Sequence, residues 1–210
     1  MSLSTGSDQR TRLSRVSAVI AATAIASLAV AGCSSSAGNN PPGLLLSGPD
    51  TNIVVTIPAG WHQVIDSANP LIPEMVAPTT CMGSTEVACS TGLARIATLT
   101  AKTPEDAANA VQTAVTSAPG VTNVTDVSKG PGKIGKRNGF RHRFTFNNPG
   151  AVLTSEIAAV PSGPTTPDPQ GNLEYSVILV WISNKPDAPK IDDINTIIDS
   201  TLVHGGVTTP

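Results

Sequence analysis

The chain has 210 residues, with 13 Lys plus Arg against 15 Asp plus Glu and a net charge of −2 with His neutral. Slight acidity and an aromatic content of 3% count against nucleic acid as a partner, because such partners demand a concentrated basic surface or stacking platforms. The length suits one domain of ordinary size, able to bury a real core.

Arg10, Arg12 and Arg15 precede a near-continuous apolar run from Val16 to Val30, the first two zones of an export signal. At about fifteen residues the run falls short of the ~20 that a membrane-spanning helix needs. It ends in Leu28-Ala29-Val30-Ala31-Gly32-Cys33, which resembles the bacterial lipobox. That resemblance implies a diacylglyceryl group on Cys33 and cleavage between Gly32 and Cys33. Residues 1–32 are then a signal peptide. Residues 33–49, rich in Ser, Asn, Pro and Gly and without helical or strand period, are expected to be the lipidated cysteine and its flexible tether. The signal carries three Arg and one Asp, so the mature chain keeps 10 basic and 14 acidic side chains.

Thr51 to Ile57 is rich in β-branched residues and stops at Pro58-Ala59-Gly60, which predicts a strand and a turn, with Trp61 to Ile65 returning as a second short strand. Asp66 to Gly92 has three Pro and no period, the mark of a long irregular loop. Cys81 and Cys89 lie in it, eight apart in a chain bound for an oxidising compartment. A disulfide is the leading reading, worth on the order of 2.5 kcal/mol for so short a loop. The rival, a thiolate metal site, has no further Cys or His at ligand spacing.

Leu93 to Thr100 alternates as a strand and leads into a helix start. Thr103 suits the N-cap and Pro104 the first helical position, while Glu105 and Asp106 complement the positive end of the helix dipole. Ala107, Ala108, Val111 and Val115 form one apolar stripe, ended by Pro119-Gly120. Val121 to Val127 predicts a strand, Gly130-Pro131-Gly132 a turn, and Asn138-Gly139 a tight turn opening the strand Phe140 to Asn147. In that strand Phe140, His142, Phe144 and Phe146 share one face and Arg141, Arg143 and Thr145 the other. Ala151 to Val160 and Leu173 to Ser183 follow, joined by the Pro-rich loop from Pro161 to Asn172. Val177 to Ile182 is apolar on both faces, as in a central strand covered on each side. Ile191, Ile194, Ile198 and Leu202 recur at helical spacing and supply one cover; the helix after Thr103 supplies the other. The fold class is therefore α+β, a mostly antiparallel sheet of five to seven strands in α/β/α layering over residues 50–204, with a tail at 205–210.

This order, together with Ile57-Pro58-Ala59-Gly60-Trp61, Ile134-Gly135, Gly139-Phe140 and the closing Ile198-Asp199-Ser200, resembles the PsbP-like fold of extrinsic photosystem proteins. Within it, the chain is most similar to actinobacterial lipoproteins of the LpqN and LpqT type. The resemblance covers roughly residues 50 to 204 and implies an accessory or binding role without catalysis or cofactor.

His62, His142 and His204 are the only histidines, and no Gly-x-Ser-x-Gly or His-Glu-x-x-His run accompanies them. His142, on a face with three Phe, reads as a half-buried core residue. An envelope hydrolase would need His62 or His142 beside an acid and a nucleophile in one cleft. Asp187, Asp192, Asp193 and Asp199 suggest helix-terminus acids and a solvated side chain before they suggest a Ca²⁺ site. Lys129, Lys133, Lys136, Arg137, Arg141 and Arg143 put six bases into fifteen residues with no acid among them. They read either as a solvated hairpin that keeps a sheet edge from pairing or as a patch for anionic lipid headgroups or envelope polymers. The functional expectation is an exported protein held on the outer face of the cell membrane, binding an envelope lipid or protein partner. The alternatives are an envelope hydrolase and a purely structural surface protein.

Overall fold

The computed structural model describes residues 44–47, 52–64, 75–77, 90–164 and 166–204. The chain forms β1 (Leu44–Ser47), β2 (Ile53–Ile57), β3 (His62–Val64), β4 (Met75–Ala77), β5 (Gly92–Ala101), α1 (Pro104–Thr116), β6 (Thr122–Ile134) and β7 (Arg137–Asn148). β8 (Ala151–Pro161), β9 (Leu173–Ser183), α2 (Ile191–Asp199) and β10 (Leu202–Val203) complete it. Every strand pair is antiparallel. A seven-stranded sheet has the order β3-β4-β5-β9-β8-β7-β6, and a three-stranded sheet the order β1-β2-β10. The class is α+β, as the periodicities predict.

The run Val177 to Ile182 explains the centre. β9 lies between β5 and β8 and is apolar on both faces because both are covered. On one face Phe140, Phe144, Phe146, Leu153, Ile157, Tyr175 and Val177 pack against Ala107 and Ala108 of α1. On the other, Ala94, Ile96, Ala158, Val160, Ile178 and Val180 pack against Ile194, Ile197 and Ile198 of α2 and Ile53, Val55 and Ile57 of β2. One outer layer is thus a helix, and the opposite one a helix beside a small sheet.

α1 begins as its sequence dictates: Thr103 Oγ1 accepts from the Asp106 N–H at 3.0 Å and donates to the Asp106 carboxylate at 2.8 Å. α2 is capped differently, with the Asp193 carboxylate accepting from the Lys190 N–H at 2.8 Å. Only Asp192 and Asp193 lie in its first turn. Asp187 precedes the helix, contrary to the expectation that it too sits at the terminus.

Four expectations need correction. Leu44–Ser47, assigned to the tether, is a strand paired with β2, so ordered structure begins before residue 50. β3 does not return beside β2; the turn at Pro58-Ala59-Gly60, with Gly60 at φ +90, passes the chain from the small sheet to the large one, where β3 pairs with β4. The segment from Asp66 to Gly92 contains the strand β4. Lastly, β6 runs unbroken through Gly130-Pro131-Gly132, and the hairpin turns at Gly135-Lys136 rather than Asn138-Gly139. Gly135 has φ +54, the sign that primed hairpin turns require at their first central residue. Gly139 instead sits within β7, where a Cβ would come 2.4 Å from the Ala159 carbonyl oxygen.

Candidate functional site

The strand β7 separates its side chains as predicted: Phe140, His142, Phe144 and Phe146 are buried toward α1, while Arg141 and Arg143 emerge toward α2. The register places Arg143 opposite Glu156 of β8, with Arg141 diagonal to it. Glu156 is 2% exposed, a carboxylate in the middle of the domain. Its two oxygens accept one from Arg141 Nε and the other from Arg143 Nε, the latter at 2.7 Å. Asn195 Oδ1 of α2 accepts from Nη2 of both arginines, at 3.3 Å from Arg141 and 2.8 Å from Arg143. Asp199 accepts from Arg141 Nη1 at 3.1 Å. Two cations, a buried anion and an amide therefore close one network that fastens α2 to the sheet, each charge satisfied by hydrogen bonds that a buried ion requires.

The six bases do not form one surface. Lys129 lies on the α1 side, 3.4 Å from Glu105 and 6.0 Å from the centre of the Phe140 ring. Lys133 donates to Asn138 at 2.6 Å across the hairpin. Lys136 occupies the turn, and Arg137 begins β7. A shallow cleft of about 350 Å³ does open beside Arg141 and Arg143, floored by Gly130 and Gly132, which bring no side chains to that face. Glu156 is the residue that sequence reasoning missed. Its signal was the lone charged residue of its strand, directly before the apolar run Ile157 to Val160.

His142 is completely buried, more so than expected, and Nε2 lies 2.8 Å from Asp126 Oδ1. A register shift between Asp126 and Ser128 turns Asp126 to the His142 side, where it also accepts from Gln112 of α1 at 3.4 Å. An acid thus stands beside this histidine. His142 Nδ1 makes no hydrogen bond to a nucleophile, and His142 lines neither cleft. His62 lies in β3 and His204 just past β10, so the structure does not bring the three histidines together. Among the described residues no group of three or more His, Cys, Asp or Glu is arranged to hold a metal ion. Cys33, Cys81 and Cys89 lie outside the described residues.

A second cleft, of about 320 Å³, runs between α1 and the sheet. Ala110, Val111, Ala114 and Val115 form one wall, and Ala97, Leu99 and Leu179 the floor, with Arg95 at one end. It opens because α1 rests on β7 and β8, and the small side chains of Ala97, Ala110 and Ala114 leave the gap toward β5 unfilled. An apolar cleft bounded by one guanidinium suits a hydrocarbon segment or a nonpolar side chain with a polar end.

No protein family model matches the chain, and no curated protein matches it. Among solved structures it is similar to LpqN of Mycobacterium tuberculosis, described as involved in cell envelope biogenesis, at 14% identity over 80% of this chain and 88% of that one, with a TM-score of 0.48. It is similar to cyanobacterial PsbP from Synechocystis at 11% identity over 81% and 98% of the two chains, with a TM-score of 0.44. A protein from Bacteroides thetaiotaomicron follows at 12% identity, 73% and 45% coverage and a TM-score of 0.41. At these identities and scores the likenesses carry no functional argument.

Proposed function

We propose that the protein is an exported lipoprotein, tethered through Cys33 to the outer face of the cell membrane, whose domain has a non-enzymatic binding role toward an envelope lipid or protein partner. The location is supported by the run Leu28 to Cys33 directly after an apolar segment. The binding role rests on one observation, the open apolar cleft between α1 and β5. The occupant is an apolar segment of the partner, lying along Ala97 and Leu99.

The test uses the full chain, exported and purified from membranes in mild detergent. Intact mass is expected to show a diacylglyceryl adduct that Cys33→Ser removes. Native mass spectrometry is expected to show a further bound lipid, or cross-linking a partner protein, that Ala114→Trp expels by filling the cleft. An unmodified Cys33 refutes the anchor; binding that is indifferent to Ala114→Trp refutes the cleft.

The cleft over Gly130 and Gly132 favours a second reading, in which Arg141 and Arg143 contact an anionic headgroup of that lipid. Arg143→Gln would then weaken lipid retention with little loss of fold. An unchanged adduct would leave the two arginines with their fastening role alone.

A further inference from the structure

The inner face of the three-stranded sheet supplies Ile53, Val55 and Ile57 to the core, and its outer face is uncharged and largely apolar. Antiparallel partners share a face, so Leu45 opposite Thr56 and Leu202 opposite Val54 all point outward. Leu45 is 64% exposed and Leu202 55%, two of the three large hydrophobic residues more than half exposed among those described. β1, β2 and β10 contain no charged residue, although the domain as a whole is acidic. The Thr56 N–H donates to Ser200 Oγ at 2.9 Å, which also removes a polar group from that surface.

The same sheet is the one nearest the lipid anchor in the chain. Only ten residues separate Cys33 from Leu44, the first residue of β1. Fully extended, that stretch reaches at most about 40 Å. An anchor at Cys33 therefore keeps the start of β1, and with it this uncharged sheet, within about 40 Å of the bilayer. We infer that the outer face of the small sheet, with Leu45, Val54 and Leu202, is a membrane-docking surface that rests on the lipid bilayer and fixes the domain's orientation. The inference rests on the lipid anchor proposed above. Neighbouring α2 presents Asp192 and Asp199 to solvent, so the contact relies on apolar burial and does not require anionic lipid. Docking in this way turns α1 and its apolar cleft, on the opposite side of the large sheet, away from the membrane.

The test places a photoreactive phenylalanine analogue at Leu45, Leu202 or Thr113 in the full chain, purified with its anchor and reconstituted into phosphatidylcholine vesicles with or without phosphatidylglycerol. All three positions are exposed, so the fold should hold; circular dichroism of each variant checks it. Severalfold more lipid adduct from positions 45 and 202 than from Thr113 of α1, in both vesicle types, is the expected result. Equal labelling of all three, or adducts formed with a second copy of the chain instead of lipid, would overturn the docking surface. Intact mass separates the two ideas: a chain lacking lipid on Cys33 refutes the anchor and the docking with it. A lipidated chain with no adducts at 45 and 202 refutes the docking alone.

Discussion

His142 Nε2 and Asp126 Oδ1 lie 2.8 Å apart, with the imidazole fully buried and the carboxylate 57% exposed. The exposed partner thus satisfies a buried one, and the bulge that turns Asp126 toward β7 exists at the position where that bond forms. Removing the acid leaves the imidazole without its hydrogen bond in the interior. Asp126→Ala should destabilise the domain by about 1–3 kcal/mol. In a His142→Phe background the same change should be close to neutral, as a double-mutant cycle by urea unfolding will show. Equal losses in both backgrounds would mean that the bond contributes nothing.

Glu156 binds two cations, and its loss leaves Arg143 without an acid and Arg141 with only the exposed Asp199. Glu156→Ala should cost about 3–5 kcal/mol, because it leaves two half-buried guanidiniums without their shared partner. Arg141→Ala and Arg143→Ala should each cost less, since their side chains are 25% and 22% exposed and the remaining arginine still neutralises the acid. Denaturant midpoints measure the order. A milder effect for Glu156 than for either arginine would contradict it.

Two glycines with positive φ should respond differently to a methyl group. Gly150, at φ +87, has nothing within 4 Å of a built Cβ, so Gly150→Ala carries only the left-handed backbone cost of about 1–2 kcal/mol. Gly135, at φ +54, would place that Cβ 1.9 Å from the Thr201 carbonyl oxygen. The Gly135 N–H also donates to the Ile198 carbonyl at 3.1 Å, so the backbone cannot withdraw without losing that bond. Gly135→Ala should lower the melting temperature well beyond Gly150→Ala; similar shifts would show that the hairpin tip is free to move.

Burial, and then the negative charge of Asp106, hold the Tyr175 hydroxyl above its ordinary pKa near 10. The hydroxyl donates to the Lys102 carbonyl at 3.4 Å. In the unfolded chain the phenol ionises from about pH 10, while in the folded state it keeps its proton to higher pH. Its contribution is therefore complete below pH 10 and declines as pH rises above it. Tyr175→Phe should be less sensitive to alkali than the parent in denaturation experiments from about pH 9 to 11. Parallel curves would remove Tyr175 as a cause of alkaline destabilisation.

What the sequence disclosed followed local rules. The cap at Thr103 and the alternation of Phe140 to Phe146 depend on neighbours a few residues away, and both appear where their patterns place them. The same holds for the double-sided apolar run of β9. The small sheet was not legible because its partners are remote: β2 meets β10 across some 150 residues, and Leu202 falls on the helical spacing of Ile191, Ile194 and Ile198 although the helix ends at Asp199 and Leu202 belongs to β10. The hairpin tip was misplaced because Asn138-Gly139 and Gly135-Lys136 are both acceptable turns by composition. The choice between them is made by Ile134, fully buried in the core beside α2, and by the carbonyls of Ile198 and Thr201. The buried pairing of Glu156 with Arg141 and Arg143 was hidden for the same reason, since the acid and the bases occupy different strands.

The pairing of β2 with β10 also governs the order in which the molecule can assemble. Thr56 and Ser200 share hydrogen bonds although they are 144 positions apart, so the second layer has no closing strand until Leu202 and Val203 arrive. Such distant closure is slow, because loop entropy is lost before any contact rewards it. A chain delivered from its N-terminus must therefore hold Ile53, Val55 and Ile57 in waiting while β5 to β9 arrive. Its maturation becomes a wait for α2 and β10. Chains cut before Ile191 should refold without the small sheet and remain open to protease at β2.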